Sequence, residues 1–308
     1  MVFAPGPLLT VTIEPHGDRA DLHVHPGGQG VWQSRMITLL GAQVVLVTAL
    51  GGETGGVLRS LLEAEGFTVQ AVERSAASGW YVHDRRDGER DEVAAHSGAP
   101  LDRHELDELY NVALAAGLRA SVCVLSGVED PDIVAPDIYR RLVADLTNND
   151  VRVIADLAGD YLTAVLEGGV TFLKVSHEEL IAAGRAKDGS QRATVRAARA
   201  LHSDGAQSVL VSRADEPALA LLDDRLFQVE VPPLEVADHR GAGDSMTAGV
   251  AAVLSGGGDL AAAVQTGAAA GAVNVTRHGL GTGQAETITA LVERVRLTPL
   301  DHDDRGAA

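Results

Sequence analysis

Apolar runs separated by helix-length amphipathic stretches limit what this chain can fold into more than any other feature. The runs VVLVTAL, SVCVLSG, VRVIADL, VTFLKV and SVLVS are almost free of polar residues. A strand with one wet face alternates apolar and polar residues, whereas a continuous apolar run is covered on both sides. Between the runs lie stretches such as DIYRRLVADLTNN and RATVRAARALHSDG, in which apolar residues recur at helical spacing. This alternation predicts an α/β fold with a three-layer αβα, doubly wound, mostly parallel sheet. Two segments depart from it. Leu9–Pro26 and Ser78–Gly98 alternate more, carry turn residues such as Asp87-Gly88-Glu89-Arg90 and lack a long helix. They predict a small separate β-sheet. The 308 residues suit one large α/β domain with an appendage, assigned to residues 1–298. The polar end, residues 299–308, is expected to be disordered.

In such sheets ligands sit at the carboxyl ends of the strands, and two motifs fall there, FLKVSHEEL and GAGDSMTAGVAAVLSG. The second opens with Gly241, Ala242, Gly243 and Asp244 just before an apolar helical stretch. The first N–H groups of a helix have no internal partners and carry the positive end of its dipole. Glycines let that backbone approach an anion closely. A carboxylate beside such a cradle repels bound phosphate unless it has a task, and the task that fits is taking a proton from an attacking hydroxyl. The pattern points to phosphoryl transfer to an alcohol. The plainer reading is a Gly-rich turn capping a helix, with Asp244 a favourable acid at its start.

Charge and cysteine content exclude other classes. A formal net charge of −18 without a basic cluster argues against nucleic acid and anionic membrane surfaces as partners. The single cysteine, Cys123, allows no intrachain disulfide and fits a reducing cytoplasm. It lies in an apolar run and reads as core. The start MVFAPGPLL lacks the basic lead of a signal peptide, and no apolar run reaches membrane-spanning length. His16, His23 and His25 cluster in sequence without a third or fourth metal ligand that fits, so a solvated face is the better reading. Neither a Walker A loop nor a dinucleotide fingerprint is present.

The stretch VADHRGAGDSMTAG resembles the D-T-x-G-A-G-D signature of the ribokinase-like (PfkB) carbohydrate kinases, with Asp238 and Gly241 to Asp244 in place and His239 where Thr is usual. PGGQGVWQSRMITLLGAQVVLVTALGGETGGVLRSLLEAEGF resembles that family's Gly-Gly-Lys-Gly segment, its helix and the G-x-x-G-G-x-x-G stretch. FLKVSHEEL is similar to K-P-N-x-x-E-L. The motifs keep the family's order, and the resemblance spans about Leu9 to Gly283, nearest the branch acting on sugar phosphates.

The resemblance implies an ATP-dependent kinase with magnesium, a small-molecule substrate, and a small sheet acting as a lid over the sugar. A monovalent-cation requirement and the choice between monomer and homodimer stay open. It makes Asp244 the base and Gly241, Ala242 and Gly243 the anion hole. Asp18 in LTVTIEPHGD is similar to the hydroxyl-binding Asp of T-V-T-L-N-P-x-x-D, with Asp21 nearby as a rival and a turn aspartate as the plainer reading. Gly27, Gly28, Gln29 and Trp32 fall on the substrate-binding segment. Glu179 fits the acid that holds magnesium through water. Lys174 and Ser212 fall on the nucleotide side.

Departures from the pattern bear on the substrate. Gln29 stands at the Lys of Gly-Gly-Lys-Gly, Trp32 at a hydroxyl-binding Asn, Ser176 at the Asn before the magnesium acid, and Gly79 or Trp80 where an Arg is frequent. A dianion is costly to desolvate without cations, so weak activity on sugar monophosphates is expected. Glu216 and Pro217 replace a glycine region near the nucleotide, and the segment between Asp18 and Gly27 is short, which predicts a trimmed lid. Two rivals follow: a nucleoside kinase, with Trp32 stacking on the base, and a degenerate member that binds a small molecule without transfer.

Overall fold

The computed structural model describes residues 1–277 and 279–300. Strands and helices are numbered in chain order. Seven strands of the main sheet run parallel: β1 (Val2–Phe3), β4 (Val45–Gly51), β5 (Thr68–Arg74), β8 (Val122–Ser126), β9 (Arg152–Asp156), β10 (Val170–Ser176) and β11 (Ala206–Arg213). Three more, β12 (Glu216–Leu222), β13 (Arg225–Glu230) and β14 (Arg296–Pro299), extend one edge in antiparallel fashion. The spatial order is β14-β13-β12-β11-β10-β9-β8-β1-β4-β5. From β1 the chain winds outward through β4 and β5, then returns to β8 on the other side and winds away from it. That reversal opens a crevice at the strands' carboxyl ends.

Helices cover both faces. One layer holds α1 (Gln29–Leu39), α2 (Gly52–Ala64), α8 (Ala242–Ser255), α9 (Leu260–Val275) and α10 (Ala285–Val292). The other holds α3 (Arg103–Gly117), α4 (Pro136–Thr147), α5 (Gly159–Gly168), α6 (His177–Ala182) and α7 (Gln191–Ser203). The amphipathic helices bury one stripe each: α4 turns Ile138, Tyr139, Leu142, Val143 and Leu146 inward. Helices α8 and α9 are different, being small and apolar nearly all round, and they pack on each other through their glycines. A Cβ on Gly249 would stand 2.6 Å from Gly267 Cα, so the two helices approach more closely than side chains ordinarily permit.

The small sheet contains β2 (Leu8–His16), β3 (Arg19–Gly27), β6 (Ser78–Asp84) and β7 (Asp91–Gly98), in the order β3-β2-β6-β7. Its registers put Thr10, Thr12, His25, Tyr81 and His83 on one face, and Leu9, Val11, Ile13, Leu22, Val24 and Val82 on the other. The first face buries Thr10, Thr12 and His83, whereas Leu22 on the second is 64% exposed.

One sequence expectation needs correction, and one strand was not anticipated. The tail does not begin at residue 299: β14 pairs through Pro299 with Phe227, and the Leu300 N–H donates to the Leu226 carbonyl. Proline is tolerated there because β14 is the sheet's outer edge. Residues 301–308, where disorder was expected, lie outside the described residues. The N-terminal residues form β1, hydrogen-bonded between β4 and β8. Two residues are too few to show a period.

Candidate active site

A cleft of about 1400 Å³ runs along the carboxyl ends of the parallel strands. Single-ligand sites occupy roughly 300–1,000 Å³, so this one has room for two substrates side by side. Its walls come from the start of α8 (Ala242, Gly243, Asp244), the β10–α6 turn (Lys174, Ser176, Glu179), the end of β11 (Ser212), the start of α1 (Gly28, Gln29, Trp32), and Gly6 and Leu8.

The start of α8 opens on the cleft without a side-chain cap. Gly241 is its N-cap at φ 74°, in the left-handed region, and no side chain caps the helix. The N–H groups of the first turn are left for a ligand. The loop before Gly241 is held by Asn274 of α9, which is fully buried. Its Nδ2 donates to the Arg240 carbonyl at 2.7 Å, and its Oδ1 accepts from Gly281 N–H at 3.0 Å. Gly243 lies directly over Lys174, whose Nζ a Cβ there would overlap.

Two acids face each other in the cleft. Asp156, at the end of β9, is 2% exposed. It accepts from Lys174 Nζ at 3.3 Å, Thr247 Oγ1 at 2.8 Å and Gln33 Nε2 at 3.1 Å. Asp244 lies opposite on α8. Burial pushes the Asp244 carboxyl up and the Asp156 charge adds to it, against the pull of Lys174 and a hydrogen bond from Gln29; it reaches about 7. Burial works to lower the Lys174 ammonium, but Asp156, Glu179 and Asp244 outweigh it, so its pKa rises and it stays charged. A carboxyl titrating near neutrality, aimed into a cleft beside a helix N-terminus, is suited to take up a proton during a reaction.

The residues singled out from sequence fall differently. Gly241, Ala242, Gly243, Asp244, Ser212, Glu179, Gly28, Gln29 and Trp32 all line or flank the cleft. Trp32 is half-buried in the wall. Gln29 is no free ligand, because its Oε1 accepts the Gly127 N–H at 2.5 Å. Glu179 caps its own helix, with Oε2 accepting from Ser176 N–H at 2.7 Å and its other oxygen uncommitted. Lys174 is neither a surface lysine nor an unengaged phosphate ligand but the buried partner of Asp156.

Asp18 is displaced. It sits with Gly17 in the exposed turn between β2 and β3, away from the cleft. The sheet-centre strand is β1, followed by Ala4-Pro5-Gly6-Pro7-Leu8. Counted from Pro5, the acid's place in the N-P-x-x-D pattern falls on Leu8, which lines the cleft. Gly27 is buried against Thr10 and lies beside the Tyr81 hydroxyl. Gly79 has no room for any side chain, since a Cβ would stand 2.6 Å from the Ser97 carbonyl and overlap Leu8.

Sequence reading missed Asp156, Gln33, Thr247 and Asn274. Asp156 had a signal, an acid closing the apolar run VRVIADL at the same strand edge as the two motifs. It also missed the cations of the lid. Arg90 reaches His83 Nε2 at 2.7 Å and stacks over the Tyr81 ring at 5.5 Å. Burial and the charges of Arg90, Arg240, Arg85 and His25 push His83 down to about 4. Among the described residues, the buried atoms Thr10 Oγ1 and His83 Nδ1 have no hydrogen-bond partner. Arg240, paired with Asp238, also lines the cleft, so this cationic face adjoins it.

Comparison with known proteins agrees with this geometry. The model of the pfkB family of carbohydrate kinases matches residues 9–288. The ATP-dependent 6-phosphofructokinase isozyme 2 of Escherichia coli (strain K12) is 30% identical over 262 residues, 82% of each chain. The 1-phosphofructokinase of Bacillus subtilis (strain 168) is 25% identical over 276 residues, covering 90% of this chain and 89% of that one. The crystal structure of Escherichia coli phosphofructokinase-2 in complex with potassium superposes with a TM-score of 0.85 at 25% identity, over 95% of this chain and 97% of that one. The fold, a three-layer sandwich with a smaller sheet at the cleft, is shared with Arabidopsis thaliana ribokinase complexed with ribose and ATP, at a TM-score of 0.72, 18% identity, and 95% and 98% coverage. The chain is an enzyme, a carbohydrate kinase belonging to the pfkB family.

Proposed function

We propose that the protein transfers the γ-phosphoryl group of ATP to a hydroxyl of a sugar, sugar derivative or related small molecule, with Asp244 as general base. The observation that carries this reading is the pairing of Asp244 with an uncapped helix N-terminus in one cleft. Asp244 takes the hydroxyl proton as the oxygen attacks, and the N–H groups of Gly241 to Gly243 face the charge spreading over the phosphoryl oxygens. Lys174 and Ser212 support the phosphate side of the nucleotide, whose base fits against Ala268, Ala272 and Val275. One carboxylate with an uncommitted oxygen suits a cation that takes few protein ligands and several waters, and Glu179 meets that description. Magnesium held there through water supplies charge neutralisation on the phosphates. A monovalent cation is part of the reading only so far as one relative was crystallised with potassium.

For the acceptor, the lid cations outweigh the missing Lys and Arg. Arg240 in the cleft wall, ion-paired with Asp238, and Arg90, held against His83 of the adjoining sheet, are cations a dianion could meet, so a sugar monophosphate is the better acceptor. The reading that Gln29 and Gly79 suggested by themselves is reversed. A nucleoside acceptor is the second reading, favoured by Leu8 and Trp32 in the wall. The apolar outer face of the small sheet favours a homodimer over a monomer. No helix among the described residues is long and apolar enough to cross a membrane.

The test is ATP consumption with magnesium against sugars, sugar monophosphates and nucleosides, with Asp244→Asn alongside. Acceptor-dependent turnover falling by about 10²–10⁴ in the variant supports the base. Equal turnover in both proteins overturns it, and nucleotide binding without any turnover selects the degenerate binder.

A further inference from the structure

The wall that β2 and α1 give the cleft is short of hydrogen-bond acceptors. Leu8 leads the inner face of the small sheet, in line with Thr10 and Thr12, and lines the cleft. Its Cδ2 fills the space that a side chain on Gly79 would take, so the adjoining strand offers nothing polar at that point. The Thr10 hydroxyl lies against Gly27 and does not line the cleft. Gly28, Gln29 and Trp32 continue the wall at the start of α1, which packs against α8, the helix that carries Asp244. Gly281 seats against the Trp32 carbonyl, and its N–H is held by Asn274, the residue that also holds the loop before Gly241. The wall therefore adjoins the base.

Among its described residues, the free side-chain polar atoms are donors. The Trp32 indole has one N–H and no acceptor. Gln29 Oε1, the one side-chain acceptor of the wall, already takes the Gly127 N–H at 2.5 Å, which leaves Nε2 to donate. The first N–H groups of α1 have no side-chain cap and can only donate as well. Glu129 of the β8–α4 loop also lines the cleft, but it is exposed to solvent. A hydroxyl both donates and accepts, so against this wall its own proton finds no side-chain partner, and a desolvated polar group left unpaired weakens binding. Ether, carbonyl and phosphate oxygens only accept and escape that penalty. A methylene set against Leu8 or the Trp32 ring escapes it too.

We infer that this wall selects an acceptor poor in hydroxyls other than the one attacked, a deoxy sugar phosphate over its fully hydroxylated parent, with Leu8 as the specificity-determining residue. The inference rests on the proposed reading that the cleft takes a phosphorylated sugar as acceptor.

The test compares fructose 6-phosphate and fructose 1-phosphate with their 3-deoxy and 4-deoxy analogues, all of which keep a free primary hydroxyl. Binding is read by titration calorimetry with magnesium and a non-hydrolysable ATP analogue, so it needs no turnover. Steady-state kcat/KM with ATP is the second readout. The deoxy analogues are expected to bind about 10–100-fold more tightly than the parent sugar phosphates, with kcat/KM raised to match. Leu8→Asn brings an acceptor and a donor to the wall and is expected to erase the preference, whereas Leu8→Met stays apolar and keeps it. Equal or tighter binding of the parent sugar phosphates overturns the inference, and so does failure of every compound to bind. An unchanged preference in a folded Leu8→Asn chain removes Leu8 from the role. If that variant does not fold, the discrimination shown by the wild-type chain decides. Discrimination in binding without turnover, or with turnover kept in Asp244→Asn, means that the assigned reaction or its base fails while the inference stands.

Discussion

Asp244 is held where its charge is least comfortable, and that has a cost in stability. Its folded-state pKa lies above the ordinary 3.8, at about 7. Folding therefore favours the protonated form. The penalty on the ionised form is absent well below pH 3.8, grows as the pH rises toward 7 and is complete above it. Asp244→Asn is expected to stabilise the protein at pH 8, by on the order of 2 kcal/mol, and by much less at pH 5. Denaturant melts at the two pH values check this, and an equal gain at both would refute it. Lys174 has the opposite character. Lys174→Ala leaves Asp156 buried without its cation and is expected to cost about 3–5 kcal/mol. At this scale the sequence was legible where a motif carried the residue, as at Gly241 to Asp244. It was misleading at Asp18, because a hairpin happened to repeat the expected spelling. It was silent on Gln33, whose meaning comes entirely from a strand end 93 positions away.

Among the elements, α8 and α9 decide where the anion cradle sits. Their glycine contact brings Met246 against Gly271 and sets Asn274 under the loop that ends at Gly241. Gly249→Val overpacks that contact. The expected result is a loss of about 1–3 kcal/mol together with a higher KM for ATP, because the cradle moves with the helix. Equilibrium unfolding and steady-state kinetics with varied ATP measure both, and a destabilised variant with normal KM would separate the cradle from the crossing. The parallel strands and amphipathic helices could be read from the chain, since their periods are long enough to count. Strand β1 could not, being two residues long, and β14 was hidden by a proline that is acceptable only at an edge.

As a whole molecule, the chain is strongly acidic yet brings Arg85, Arg90 and Arg240 from neighbouring loops around His83 of its small sheet. Arg90→Ala is expected to raise KM for a phosphorylated acceptor about tenfold, the scale of a lost charge-assisted contact, and to leave KM for ATP alone. A neutral acceptor of comparable rate and indifferent to the variant would overturn this. On the outer face Leu22 and Val24 of β3 are exposed at 64% and 40%, and exposed apolar residues gathered on one face mark a contact surface. Leu22→Asp is expected to shift sedimentation from dimer to monomer, and a wild-type chain already monomeric at high concentration would refute it. One further feature joins these scales. Leu8 is both a wall of the cleft and the first residue of β2, so under the proposed function the floor beneath the acceptor and the cover above it would be cut from one strand. An acceptor of the wrong shape that displaced Leu8 would then prop the cover ajar and admit water to compete for the phosphoryl group. Fidelity in such an enzyme would then be read as wasted ATP, hydrolysis without transfer, rising with every acceptor that fits the floor badly.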